Sequence, residues 1–401
     1  MSNSLLTTVL HKIERSSQSD DNLKGKRLIY QQLLNKAIIL LIGEAAAKSV
    51  IAEDGDITLE RLNKHRRRLR RLQNEFRQNR DHWKSLYASC LEHIRPITCP
   101  LVLISEIQRS GGSLLSQLFD GHPELHAHPH ELKFGFPRKF NWPPIDLDDP
   151  PNRWFEILFE TSVISHFKTG YKKQKNLEET FPFIFLPPVQ KDLFLNYIGR
   201  LKSLTIRDVF DAYMTSYFGA WINNQNVIGD KKYITGFTAR LSMYEKNMES
   251  FFDVYPDGRL ISIVRNPKNW YPSASRHKPA VYNDIKESLD LWKKSASSMI
   301  QNKKRYGGRV CLLTFEDLIG KTETVMHYLA EFIGIKFDEI LLTPTFNKFP
   351  IKANTSFKEK QHGIISNTLN RYRTLEKEEL AIVENRTREI YEEVLTQTVP
   401  F

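Results

Sequence analysis

Apolar residues recur at helical spacing through the first quarter of the chain. They return three and four positions apart, as on one face of a helix. The recurring positions include Leu28, Leu33, Ala37, Leu40, Leu62, Leu69, Leu72 and Phe76. The pattern predicts an all-helical accessory domain over residues 1–95.

From Cys99 onward the pattern changes to short apolar runs that contain β-branched residues. Three runs stand out: Pro100–Ile107, Arg259–Val264 and Arg309–Phe315. Continuous apolar runs of this length are typical of strands buried on both faces of a parallel sheet. Residues 282–306 predict a helix long enough to cross over between the second and third runs. We therefore expect an α/β domain over residues 96–401.

The stretch 132–204 is rich in proline and aromatic residues and lacks a clear period. It predicts an irregular, variable insertion on the acceptor side of a site rather than a core element. Thr205 to Trp221 then predicts a helix with one apolar face. A last helix is expected from about Thr374, because three glutamates fall in its first turn, where they offset the helix dipole.

The chain has a formal net charge of +11, which favours anionic partners. The basic run His65–Arg71 is interpreted as the solvated face of a helix, or as a dock for an acidic partner, an acceptor or a membrane surface. Nucleic-acid binding is not expected, because no known reader motif accompanies the charge.

Three scattered cysteines predict neither a disulfide framework nor a zinc site. The N-terminal residues do not resemble a signal peptide. The most apolar stretch, Ala37–Gly43, is far shorter than the roughly 20 residues of a spanning helix. These features predict a cytoplasmic protein.

The segment Gln108–Ser113 lies where a predicted strand leads into a predicted helix. Its paired glycines allow successive amides to face an anion, and Arg109 adds a full positive charge. No lysine precedes Ser113, so the segment is not the phosphate loop of an ordinary nucleotide triphosphatase. The pattern predicts a P-loop-like three-layer sandwich, with a central parallel sheet between helices.

Arg109–Leu115, followed by Leu118–Leu125, resembles the 5'-phosphosulfate-binding signature of the sulfotransferases that use 3'-phosphoadenosine-5'-phosphosulfate (PAPS). The resemblance is closest to the bacterial, carbohydrate and tyrosylprotein branch. Pro256–Pro267 is similar to the family's 3'-phosphate-binding strand, and Ser273 follows Arg265 by the eight residues that the family expects.

Three shorter segments extend the resemblance over residues 98–345. They are Val227–Lys232, Thr314–Leu318 and Phe332–Gly334. The resemblance implies transfer of a sulfuryl group from PAPS to a hydroxyl or amine, which leaves 3'-phosphoadenosine-5'-phosphate (PAP). No metal is implied.

The resemblance also implies a set of site residues. Those expected to bind the donor are Arg109, Ser110, Gly111, Gly112, Ser113, Leu114, Arg265 and Ser273. Arg109 is also expected to stabilise the leaving phosphate. Asn354, Ser356 and Arg371 are expected to close over the adenosine. Gly112 departs from the family pattern, because a Thr or Ser is usual there, and a hydroxyl is lost from the phosphate cradle.

Two neighbouring residues are candidates for the general base. Glu131 matches the family position of a catalytic glutamate, and His130 is an alternative because a neutral histidine accepts a proton near pH 7. His122, His126, His128 and His130 form a cluster, but no carboxylate–histidine motif completes a metal site. Asp230, Lys231 and Lys232 are interpreted either as acceptor-side residues or as a charged turn.

Two other functions remain open from the sequence. A nucleotide or small-molecule kinase would share the strand–loop–helix unit, although the loop lysine and a magnesium-binding acid are missing. A non-catalytic binding protein on the same fold would agree with Gly112. For a sulfotransferase, a small molecule, glycan, lipid or peptide could each be the acceptor.

Overall fold

The computed structural model of the protein describes Ala88 and residues 95–134, 141–163, 183–351 and 363–401. The chain divides into two units, Met1–Leu86 and Tyr87–Phe401, and the described residues belong to the second. The predicted N-terminal helices, including the basic run, lie outside the described residues, as do Asn354 and Ser356. The predicted domain boundary near residue 95 stays a prediction.

A five-stranded parallel sheet forms the centre of the described unit. Its strands are β1 (Leu101–Ile104), β2 (Leu125–Glu131), β3 (Tyr233–Phe237), β4 (Arg259–Val264) and β5 (Val310–Thr314), and they lie in the order β2-β3-β1-β4-β5. A two-stranded antiparallel ribbon consists of β6 (Thr345–Phe346) and β7 (Phe349–Pro350).

Helices connect and cover the strands. They are α1 (Gly112–Leu118), α2 (Pro151–Leu158), α3 (Pro187–Ile198), α4 (Ile206–Ala220), α5 (Glu245–Val254), α6 (Pro267–His277), α7 (Pro279–Tyr282), α8 (Ile285–Tyr306), α9 (Phe315–Gly320), α10 (Thr322–Ile333) and α11 (Lys377–Leu395). Short 3₁₀ segments occur at Leu241–Met243, Gly307–Arg309, Glu339–Leu342 and Ser366–Thr374. No helix among the described residues is both long and apolar enough to cross a membrane.

The sheet is buried on both faces. Alternate residues of β1 belong to different apolar clusters: Leu101 and Leu103 to one, Val102 and Ile104 to the other. The first cluster includes side chains of α3, α4, α5 and α8, and the second includes side chains of α1, α9 and α10. The predicted α/β fold, with a parallel sheet between two helical layers, is confirmed.

The prediction for residues 132–204 is wrong where the structure describes them. Helices α2 and α3 lie in this stretch, and Trp154, Phe155 and Phe194 are buried. The prolines misled because Pro151 and Pro187 begin their helices, where the missing N–H costs nothing. These aromatic residues therefore belong to the core, and the acceptor-side role of the insertion stays a prediction.

The order of the strands determines where a ligand can bind. From β1 the chain runs to β2 at one edge of the sheet, and it later reaches β4 on the other side of β1. A crevice opens at the carboxyl ends of parallel strands where the connections diverge in this way. The segment after β1, the end of β3 and the segment after β4 all meet there.

The N-terminus of α4 offers a test of the local structure. The Thr205 hydroxyl accepts a hydrogen bond from the amide of Asp208, and the Asp208 carboxylate accepts one from the amide of Thr205. We expect Thr205→Ala to lower the free energy of unfolding by about 1 kcal/mol, measured by urea denaturation. Thr205→Ser is the control, because it keeps the hydroxyl; an equal loss in both variants would contradict the capping role.

Candidate functional site

A pocket of about 690 Å³, its open mouth included, lies at the carboxyl ends of β1, β3 and β4. The lining residues are Arg109, Gly111, Gly112, Ser113, Leu114, Phe237, Arg265, Ser273, Phe315, Ile319, Ile364, Ile365, Thr368 and Arg371. Most of the residues predicted to bind the donor are thus brought together in one place.

The loop between β1 and α1 has an unusual backbone. Arg109 adopts a φ of 75° and Gly111 a φ of 118°, values that residues with a side chain rarely adopt. A Cβ atom at Gly111 would also lie 2.7 Å from the ring of Phe315. Only glycine satisfies both conditions at position 111. The positive φ of Arg109 is a strained conformation of a kind that clusters at functional sites.

Arg265 joins three segments that line the pocket. Its Nη1 donates to the carbonyl of Arg109 at 2.9 Å, and its Nη2 donates to the carbonyl of Thr368 at 2.8 Å. The guanidinium lies over the ring of Phe315 at 4.3 Å. Arg109 in turn donates from Nε to the Ser273 hydroxyl at 3.3 Å. The two arginines and Ser273 therefore form one connected group.

The other side of the loop is held through Gln108. Its side-chain oxygen accepts hydrogen bonds from Arg240 and from the Tyr282 hydroxyl, and its carbonyl accepts one from the indole of Trp270 at 2.8 Å. Arg240 also donates to Tyr282. These contacts tie the loop to α6 and α7.

Positive charge is concentrated at the pocket. Burial, together with the charge of Arg371, lowers the pKa of Arg109 to about 10. Burial also lowers the pKa of Arg265 to about 9; Glu316 counters this shift, whereas Arg109 and Arg371 add to it. A bound anion would restore favourable surroundings to both guanidinium groups. The electrostatics therefore suit a ligand with phosphate-like groups.

Unused hydrogen-bonding groups lie at the same place. The Ser110 hydroxyl is buried and, within the described part of the chain, has no hydrogen-bond partner. The same is true of Nε of Arg265. Buried polar atoms in folded proteins are nearly always paired. Two orphan donors beside an arginine-lined pocket therefore suit an anionic ligand.

The surroundings of Gly112 differ from those expected of a residue in a phosphate cradle. Its amide donates to Oε1 of Glu106 at 3.0 Å, so this amide does not face the pocket as a free donor. A Cβ at position 112 would lie 2.2 Å from that oxygen and 2.3 Å from the ring of Phe237. Glycine is therefore required here because a buried carboxyl group occupies the space of a side chain.

The two candidate bases have different environments. The His130 ring packs against Phe183 and Phe346, at centroid distances of 4.9 and 5.7 Å. Glu131 ends β2 opposite Phe237, which lines the pocket. Its side chain is 23% exposed and lies 3.2 Å from Nζ of Lys133. Neither residue lines the pocket itself, and both are partly buried.

The histidine cluster has contacts of its own. Nε2 of His122 lies 2.9 Å from the carbonyl of Lys336, and Nε2 of His128 lies 3.2 Å from the Glu160 carboxylate. Within the described ranges, no three His, Cys, Asp or Glu side chains are arranged to hold a metal ion.

The charged segment before β3 lies away from the pocket. Lys231 donates to Asn226 at 2.8 Å, and Lys232 pairs with Glu124 at 2.8 Å. These residues precede β3, whereas the pocket is at its carboxyl end; Asp230 belongs to the same turn. The interpretation as a charged turn is the one that agrees with the structure.

Thr314, Glu316 and Asp317 lie at the start of α9. Asp317 takes part in capping the helix with Thr314. Glu316 instead accepts a hydrogen bond from the amide of Asn266. Asp317 is therefore part of the helix cap, whereas Glu316 contacts the segment that follows β4.

Several lining residues were not anticipated from the sequence. Phe237 and Phe315 come directly at or after strand ends, and this position could have indicated them. Thr368 contributes its carbonyl rather than its side chain, so the sequence carries no signal for it. Glu106 was read as part of an apolar run, although an acid within such a run indicates a specifically placed group.

The sulfotransferase family model matches residues 192–339. Over these residues, somewhat more than a third of the chain, the protein is similar to the sulfotransferase family. The match includes Arg265 and Ser273 but begins after the loop at Gln108–Ser113. The family resemblance seen in the motifs is confirmed.

Solved sulfotransferase structures show distant similarity to the chain. The sulfotransferase domain of the Synechococcus PCC 7002 olefin synthase is 18% identical, with 77% of this chain and 98% of that chain covered and a TM-score of 0.45. Retinol dehydratase in a complex with retinol and PAP is 14% identical, with coverages of 79% and 87% and a TM-score of 0.36. These similarities are too low to assign an activity. No curated protein matches the chain in sequence.

The histidines suggest a test of pH dependence. Burial, with the charge of Lys231, lowers the pKa of His126 to about 4. The unfolded chain binds a proton near pH 6.5 that the folded chain resists, so stability falls as the pH drops from about 6.5 to about 4. We expect His126→Gln to remove up to about 3 kcal/mol of this loss, measured by denaturation at both pH values. His327→Gln, at an exposed position, is the control and should keep the full loss.

Proposed function

We propose that the protein transfers a sulfuryl group from PAPS to a hydroxyl or amine of an acceptor and releases PAP. The observation that carries the proposal is the connected group of Arg109, Arg265 and Ser273 in one pocket of a sulfotransferase-family domain. Retinol dehydratase, a distant structural neighbour, was crystallised with PAP.

The pocket residues fit the two anionic ends of the donor. Arg265 and Ser273 would hold the 3'-phosphate, the group that separates PAPS from other adenine nucleotides. Arg109, Ser110 and Ser113 would hold the 5'-phosphosulfate. The orphan Ser110 hydroxyl and the lowered pKa values of Arg109 and Arg265 support this fit. Ile364 and Ile365 offer apolar surface of the kind that a nucleobase needs.

The donor supplies a sulfuryl group whose bond to the 5'-phosphate oxygen breaks as a new bond forms between sulfur and the acceptor atom. The protein's task is to place the acceptor in line, to neutralise the charge that develops on the 5'-phosphate and to remove the acceptor's proton. Arg109 would perform the second task, because the loop fixes its backbone beside the pocket. Glu131 would perform the third.

Glu131 is the better candidate base for two reasons. Its side chain is accessible to solvent, whereas the His130 ring packs among aromatic side chains. It also lies opposite Phe237, next to the loop Gln108–Ser113, which we call the donor loop. Lys133, 3.2 Å away, would balance its charge before the proton transfer.

The kinase alternative finds little support in the pocket. Its described lining includes three arginines but neither a lysine nor a carboxylate, and a kinase needs both a phosphate-binding lysine and a magnesium-binding acid. The decisive experiment is transfer of labelled sulfate from PAPS to a metabolite extract, with the product identified by mass spectrometry. The absence of any labelled product across small-molecule, glycan, lipid and peptide fractions would favour a non-catalytic binding protein.

Nucleotide affinity tests the donor site. Arg265→Ala removes hydrogen bonds to a charged ligand, so we expect PAP binding to weaken by about 2–3 kcal/mol, or roughly 30- to 150-fold. Isothermal titration calorimetry measures the affinity of each variant for PAP and for ATP. Arg259→Ala is the control: it lies at the amino end of β4, the strand that Arg265 follows, and it should bind PAP as the wild type does. Wild-type protein that binds ATP more tightly than PAP would contradict the proposal.

The rate of labelling tests the base. We expect Glu131→Gln to slow product formation roughly 100- to 10,000-fold, while PAP affinity stays within twofold of the wild-type value. Glu124→Gln replaces an acid at the opposite end of β2 and should leave both quantities unchanged. If His130→Gln slows labelling as much as Glu131→Gln does, without loss of folding, the assignment of Glu131 is wrong.

A further inference from the structure

Glu106 is a buried acid that the proposed chemistry does not use. It lies two residues after β1, immediately before the donor loop, and its side chain is fully buried. Oε1 accepts the hydrogen bond from the Gly112 amide at 3.0 Å. Oε2 is buried and has no hydrogen-bond partner among the described residues. The carboxyl group therefore links the segment before the donor loop to Gly112, the first residue of α1.

The charge state of this carboxyl follows from its surroundings. Burial raises the pKa of Glu106 well above its ordinary value; the Gly112 amide counters this shift and the negative charge of Glu131 adds to it. An ionised carboxylate with one hydrogen bond would be costly in such a place. Burial thus favours the uncharged form of the Glu106 carboxyl group.

Glu106 and the side chain of residue 112 compete for the same space. A Cβ at Gly112 would lie 2.2 Å from Oε1 of Glu106, which is far inside the contact distance. The loop can thus contain a side chain at position 112 or the carboxyl group of Glu106, but not both in this arrangement. The glycine at position 112, which departs from the family motif, is therefore structurally coupled to the buried Glu106.

The carboxyl also borders the two functional parts of the site. The Phe237 ring would lie 2.3 Å from a Cβ atom at position 112. Phe237 also lines the donor pocket and lies opposite Glu131 in the sheet. The carbonyl of Glu106 accepts a hydrogen bond from the amide of Arg240, whose side chain holds Gln108. A change at Glu106 would therefore reach both ends of the loop.

We propose that Glu106 is a positioning residue of the donor loop: its buried carboxyl oxygen accepts the hydrogen bond of the Gly112 amide and so fixes the loop for the 5'-phosphosulfate. This inference rests on the proposed function of the pocket. Under this proposal the Glu106 carboxyl group fills the space that a side chain at position 112 would otherwise occupy, and it supports the loop in place of that side chain.

The test compares three variants. Glu106→Gln keeps an uncharged acceptor for the Gly112 amide, so we expect PAP affinity within threefold of the wild-type value. Glu106→Ala removes the acceptor, and we expect PAP binding to weaken at least about tenfold. Ser105→Ala is the control: it removes a buried hydroxyl that bonds to Thr238 and Ser242 rather than to the loop, and it should leave PAP affinity unchanged.

Hydrogen exchange, followed by mass spectrometry of peptides covering residues 105–118, adds a measurement that needs no nucleotide. Exchange in this stretch should be faster in Glu106→Ala than in Glu106→Gln or Ser105→Ala. Wild-type protein that fails to bind PAP would refute the proposed function, and the exchange data would still decide the role of Glu106.

Two outcomes would overturn the inference. One is a folded Glu106→Ala variant whose PAP affinity and loop exchange equal those of the wild type. The other is a Glu106→Gln variant that loses as much affinity as Glu106→Ala, since the uncharged acceptor would then not suffice. If Glu106→Ala does not fold, Glu106→Met takes its place: it fills a similar volume without an oxygen acceptor for the Gly112 amide, so wild-type PAP affinity and loop exchange in that variant would also refute the inference.

Discussion

The hydrogen bonds from Arg265 to two backbone carbonyls hold the pocket together. One carbonyl belongs to the loop after β1 and the other to the segment before α11, while Arg265 itself follows β4. Three segments that are far apart in the chain thus meet at one guanidinium group. Because carbonyls accept without charge, the group keeps its positive charge for a ligand while it organises the backbone around it.

The same arrangement explains why the loop is built as it is. The curved backbone at Arg109 and Gly111 is costly for an isolated chain, yet it is held from several directions. Arg265 holds the carbonyl of Arg109, and Trp270 and Tyr282 hold Gln108. A loop fixed in advance loses little entropy when it binds a ligand. Rigidity at this place is therefore part of recognition.

The sequence predicted the sheet, the crossover helix and many of the residues that line the pocket, because each depends on local pattern or a short motif. Arg265 and Ser273 were predicted from their match to the family motif, in which the serine follows the arginine by eight residues. The role of Gly112 could not be predicted in this way. Its reason is a contact with Glu106 six residues earlier and with Phe237 from another strand, and only the folded structure shows these contacts.

The helices α2 and α3 were missed for a related reason. Proline pairs and aromatic residues were interpreted as an irregular insertion, but Pro151 and Pro187 mark helix starts. Whether an aromatic side chain is exposed or buried depends on its neighbours: Phe155 packs against Tyr213 of α4 and Phe194 of α3. Such long-range packing leaves no periodic signal in a stretch this short.

The lowered pKa values of Arg109 and Arg265 have a practical consequence for any measurement of stability. The pocket brings like charges together in a poorly hydrated environment, and folding must overcome their repulsion. Any small dianion that enters the pocket relieves it, and an anion at 100 times its dissociation constant adds about 2.7 kcal/mol to the folded state. A melting temperature measured in phosphate or sulfate buffer would therefore describe the occupied molecule, and only a buffer of weakly binding monovalent ions would reveal the intrinsic stability of the empty one.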